Sequence, residues 1–99
     1  MFRLIAAFTI ATSALLLFDC RKPVTEQECN ELLDRYVELL VRSDRPGTSS
    51  SEIVKMQAEA RTKAKTDPAF VHCTSEVSRS QFDCAMQAAN ADVLEQCLL

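Results

Sequence analysis

The chain has 99 residues, 47% of them apolar, with one glycine and three prolines, which bounds it to one small domain and excludes a disordered or collagen-like chain. Its net charge of −3 supplies no global basic field, so nucleic acid is excluded as an expected partner. Five cysteines in so short a chain are the outstanding feature, and because the number is odd, one of them needs its own explanation.

The chain opens with Met1-Phe2-Arg3 and then runs from Leu4 to Phe18 without a charge, the outline of a signal peptide. As a helix this run of about 15 residues is about 22 Å long, against roughly 30 Å of bilayer hydrocarbon, so an export signal over residues 1–19 is preferred to a stable span. Leu17-Phe18-Asp19-Cys20 follows directly and resembles a bacterial lipobox. The resemblance implies that Cys20 carries lipid on its sulfur and becomes the new N-terminus after cleavage before it. Leu17 matches the apolar position, whereas Phe18 is bulky and Asp19 is charged where that pattern has a small residue. The competing reading is a cut near Ala14 and free secretion.

Residues 20–24 are polar and contain Pro23, which predicts a short tether, with the folded domain over residues 25–99. Thr25-Glu26-Gln27-Glu28 is a capping box and predicts a helix start. Cys29, Leu32, Leu33, Tyr36, Val37 and Leu40 form its apolar stripe, and Glu31, Asp34, Arg35, Glu38 and Arg42 its wet side, with Glu31 to Arg35 and Glu38 to Arg42 as helical ion pairs. Ser43 to Ser51 holds the single glycine and reads as a loop. Ser49-Ser50-Ser51-Glu52 predicts a second capped helix to about Lys65, thinly apolar at Ile53, Met56, Ala60 and Ala64 and therefore superficial. Lys55, Arg61, Lys63 and Lys65 make it basic. They read first as a solvated face with Glu59 pairing to Lys55 and Lys63, and second as a contact for anionic lipid or an acidic partner.

Asp67-Pro68 predicts a further helix start, with Phe70, Cys73 and Val77 on one side. Ser78 or Ser80 caps the next segment, Gln81 to Ala89. Asn90 is read as a left-handed terminator and Asp92 as the cap of a last short helix. No stretch alternates with period two, so the fold class is all-α: a small bundle of about four to five short helices stapled by two disulfides.

With Cys20 set aside for lipid, Cys29, Cys73, Cys84 and Cys97 form an even set, and export places them where disulfides persist. A core with only Tyr36, Phe70 and Phe82 as large aromatics is marginal at about 80 residues and gains from such staples. Three connectivities exist. A hairpin about Asn90 brings Cys84 level with Cys97, yet one about Ser78 and Arg79 brings Cys73 level with Cys84; the reading leans to Cys29 with Cys73 and Cys84 with Cys97, the others staying open.

Catalytic and metal chemistry finds little support. His72 is the single histidine, and adjacent Cys73 and His72 point about 100° apart on a helix. The cysteine spacings lack the close pairs of structural zinc sites. Asp34 and Glu38, one turn apart, belong to the wet side and not to an acid and base pair. No catalytic residue, metal site or cofactor is therefore expected.

The pattern of Cys29 and Tyr36 on the first helix, with Cys73, Phe82, Asp83, Cys84, Ala85, Met86, Cys97 and Leu98 near the end, resembles small cysteine-patterned exported lipoproteins of the myxobacterial type. That resemblance implies no reaction. The expectation is a lipid-anchored, non-enzymatic envelope protein, held to the membrane on the periplasmic side or at the outer membrane, with an unidentified envelope protein as its partner. The alternative is a freely secreted helical effector or inhibitor.

Overall fold

A computed structural model describes residues 22–99, so the signal-peptide and Cys20 expectations lie outside the described residues. Thr25 accepts a hydrogen bond from the Glu28 amide at 3.1 Å, while Glu28 Oε1 accepts from the Thr25 amide at 3.2 Å, and this reciprocal cap opens α1 (Glu26–Asp44). α2 (Ser50–Ala64) begins where Ser49 accepts from the Glu52 amide at 3.3 Å. α3 (Cys73–Glu76) is a single turn. α4 (Arg79–Met86) opens on a full capping box between Ser78 and Gln81, and α5 (Ala91–Cys97) closes the chain. No strand is present among the described residues, and the domain is all-α with two disulfides.

α1 is the central element, and α2 covers one side of it while α4 and α5 cover the other. This explains two buried residues outside the expected stripe, Leu39 and Val41. They stand at its opposite edges, about 160° apart around the helix axis. Leu39 joins Val24, Cys29, Leu32, Phe82, Ala85 and Leu94 in the main core, whereas Leu33 and Val41 face the α2 side. The alanines at positions 85, 88 and 91 are almost fully buried and let α4 and α5 approach α1 closely.

α2 buries no residue, as its thin apolar stripe predicts. Polar groups hold it instead. Arg61 forks onto Asp34, with Nε donating to Oδ1 at 2.8 Å, and Gln57 Nε2 donates to the Asp34 backbone carbonyl at 2.9 Å. Asp34 therefore belongs to a helix-helix contact and not to the wet side, because α2 lies over that edge of α1. Glu38 does form its expected pair with Arg42 at 2.7 Å, but Arg35 turns to Glu38 and to the Ala88 carbonyl, leaving the expected Glu31 pair unmade. That carbonyl lies just beyond the end of α4, where a cation is favoured by the helix dipole. Glu59 makes no ion pair with Lys55 or Lys63 among the described residues.

Three boundaries differ from expectation. Asp67 caps a turn and not a helix: its carboxylate accepts from the Ala69 amide at 2.8 Å and its carbonyl from Phe70 and Val71 at 2.9 Å, after which a Cys73 to Phe70 bond tightens the chain and α3 starts only at Cys73. Ser78 caps α4, which starts at Arg79, two residues ahead of Gln81, and the helix stops at Met86, short of Ala89. Asn90 is extended, with φ −149°, and caps α5 by accepting from the Val93 amide at 2.9 Å; it is a helix starter, not a left-handed terminator, and Asp92 falls in the first turn.

Candidate functional site

The four downstream cysteines are consumed pairwise. Cys29 in α1 joins Cys73 at the head of α3, with Cα atoms 6.2 Å apart, and Cys84 in α4 joins Cys97 in α5 at 5.7 Å, both within the range of bridgeable geometry. The first bridge is inside the core, its cysteines 9% and 5% exposed; the second lies at the surface, with Cys84 open to solvent. Their loops follow one another along the chain and do not nest, so each closes its own part of the unfolded ensemble.

A second constellation gathers at the N-terminal end of α1. Arg79, the first residue of α4, forms a bidentate pair with Glu28, one arm at 2.8 Å, and its Nε and Nη2 donate to the carbonyls of Lys22 and Pro23 at 3.3 Å each. Its guanidinium also lies over the Phe82 ring, 5.4 Å from the centroid. The Arg79 hydrogen bonds lead the causes that hold the Glu28 carboxyl down at about 2. One carboxylate thus completes the α1 cap and ties α4 to it. Val24, expected in the tether, is 2% exposed and belongs to the core. Lys22 to Val24 are accordingly tied to the domain and do not form part of the expected tether.

On the other side of the core, the Tyr36 hydroxyl donates to Glu95, linking α1 to α5. That bond favours the protonated phenol and, with burial, pushes its pKa up to about 12.

A cleft of about 540 Å³ opens between the N-terminal half of α1, the end of α2 and the turn before α3, lined by Glu26, Leu33, Lys65, Phe70 and Val71 among others. A smaller one of about 320 Å³ lies beyond the Asp34–Arg61 pair, along Val41, Met56 and Ala60. Neither gathers a set of reactive groups. His72 is exposed and makes no side-chain cap, and its neighbour Cys73 is in a disulfide, so no thiol among the described residues is left for a Cys-His dyad. Asp34 and Glu38 are each held by arginine. No group of three His, Cys, Asp or Glu side chains able to hold a metal exists among the described residues, and no described helix is long and apolar enough to cross a membrane.

No family model, curated protein or solved structure matches this chain. Of the residues that organise the fold, Arg79 and Val24 were missed by sequence reasoning. Arg79 sits in a Ser-Arg-Ser break with no periodic signal, and its hydrogen-bond partners are more than 50 residues away. Val24 carried one usable signal: it is an apolar residue directly before an N-cap, the position that commonly packs back on the first helical turns.

Proposed function

We propose that the protein is an exported helical protein of the bacterial cell envelope, anchored by lipid on Cys20, whose domain has a structural or partner-binding role and no catalytic one. The observation that carries this reading is the pairing of Cys29 with Cys73 and Cys84 with Cys97. It leaves one cysteine of the five, and that one directly follows the apolar N-terminal run. A domain with two disulfides suits an oxidising compartment beyond the inner membrane.

Lipidation at Cys20 forms a carbon-sulfur bond to a diacylglyceryl group of a phospholipid donor. The donor's head group leaves, and the thiol proton passes to solvent. Hydrolysis of the Asp19–Cys20 peptide bond then frees the new N-terminus. Each buried methylene contributes roughly 0.8 kcal/mol, and two acyl chains are enough for stable attachment. The non-catalytic part of the reading is supported by the loss of the Cys73 thiol to the disulfide and by the arginine pairing of Asp34 and Glu38. A partner among envelope proteins would meet the surfaces that the bilayer leaves uncovered.

The second reading, free secretion as an effector or inhibitor, is favoured by one feature, the charged Asp19 before Cys20. Fractionation separates the two. The anchored reading places the wild type in the membrane fraction and Cys20→Ser in the soluble fraction, while equal solubility of both favours secretion.

A further inference from the structure

The N-terminal end of the domain is closed down on the residues just before α1. Arg79 holds the Lys22 and Pro23 carbonyls at 3.3 Å, and Val24 is 2% exposed in the core. Between Cys20 and the fixed carbonyl of Lys22 only two Cα–Cα steps remain, a reach of at most about 7 Å. The head-group layer on each side of a bilayer is about 5–7 Å thick, the difference between the full and hydrocarbon thicknesses. A lipid on Cys20 therefore leaves no slack beyond the head groups themselves.

We infer that the anchored domain does not swing on a tether but rests its N-terminal pole against the phospholipid head groups. This inference rests on the reading of Cys20 as an anchor. The pole comprises Lys22, the first turns of α1 and α4, and across α1 the end of α2 and the turn before α3, brought together where Glu26, Lys65, Phe70 and Val71 line one cleft. Val71 is 51% exposed there, an apolar side chain suited to the interface. Charges at this pole nearly balance, Arg21, Lys22 and Lys65 against Glu26 and Asp67, so covalent reach holds the contact and salt has little effect on it. The loop from Arg45 to Ser49 stands at the other end of α1, about 28 Å away along its 19 residues, and points away from the bilayer.

The test uses the chain from Cys20 to Leu99, which contains the whole described core and both disulfides. With the other four cysteines paired, the Cys20 thiol is alkylated by a 3-bromo-1,2-diacylglycerol, with bromide leaving, and the thioether product is reconstituted in vesicles of phosphatidylethanolamine and phosphatidylglycerol. Amide hydrogen exchange is then compared with the uncoupled protein. The expected result is exchange slowed about threefold or more over residues 67–72, with residues 45–49 unchanged, in low and high salt. An eight-residue Gly/Ser spacer between Cys20 and Arg21 adds a root-mean-square reach of about 15 Å without touching the fold, and is expected to abolish the protection. Arg79→Ala frees Lys22 and Pro23 and is expected to weaken it. Unchanged exchange at 67–72 overturns the inference, as does protection centred on 45–49 or a spacer variant protected like the parent. Because the coupling is chemical, native protein that proves unacylated defeats the anchor reading without altering this result. Failure here leaves the anchor reading standing.

Discussion

Replacing Cys29 and Cys73 together by alanine is expected to cost more stability than replacing Cys84 and Cys97, and the structure gives the margin. With sequence separations of 44 and 13, loop-closure entropy contributes about 4 kcal/mol for the first bridge and about 3 kcal/mol for the second. The first pair adds a packing loss, since both cysteines lie in the core, 9% and 5% exposed, and each buried sulfur removed costs about 1 kcal/mol in transfer and cavity terms. The totals are therefore about 5–6 kcal/mol against about 3 kcal/mol. A domain of about 80 residues has roughly 4–12 kcal/mol to lose, so the core variant is close to unfolded while the surface variant still folds. Urea titration followed by far-ultraviolet circular dichroism reads this directly. With a slope of about 1 kcal/mol per molar, the surface variant's midpoint falls by about 3 M and the core variant's by more. A surface variant less stable than the core variant, or two shifts below about 1 M, would refute the reasoning from loop length and burial.

The Glu28 carboxylate is stabilised by folding, so its contribution is full above pH 4.5 and is lost as pH falls toward 2. The gap in urea midpoint between wild type and Glu28→Gln should be constant at neutral pH and close across that window; a gap that widens toward acid contradicts the Arg79 pairing. Tyr36 has the opposite sign, its contribution being intact below pH 10 and lost as pH rises through about 12, which a comparison of wild type with Tyr36→Phe in alkaline urea titrations checks. Limited reduction followed by alkylation and peptide mapping is expected to label Cys84 and Cys97 before Cys29 and Cys73, because Cys84 is open to solvent; the reverse order contradicts the assigned burial. Arg61→Ala should speed amide exchange across α2 while leaving the global urea midpoint nearly unchanged, since α2 buries no residue and the pair it loses is partly solvated.

Local signals were readable from the chain because they are carried by neighbours. Thr25 with Glu28, Ser49 with Glu52 and Ser78 with Gln81 lie three residues apart and their roles follow from side-chain reach. Asn90 shows the limit of such reasoning: it favours both helix starts and left-handed ends, and only the close succession of α4 and α5 decides for a start. Leu39 and Val41 escaped because a single stripe describes a helix covered on one side, and α1 is covered on two. The Arg61 to Asp34 and Arg79 to Glu28 links join residues 27 and 51 positions apart and leave no periodic trace. The disulfide pairing was half legible: a helical hairpin about Asn90 sets Cys84 beside Cys97, but excluding Cys73 required knowing that α3 packs on α1, where Cys73 meets Cys29.

The division of the five cysteines into one anchor and two staples is tested most directly by the intact and peptide masses of unreduced protein purified from the cell envelope. The account predicts an N-terminal peptide beginning at Cys20 that carries a diacylglyceryl group, together with crosslinked peptides joining Cys29 to Cys73 and Cys84 to Cys97. A mature chain cut upstream of Cys20, with that residue present as a thiol or bridged to another cysteine, would contradict it.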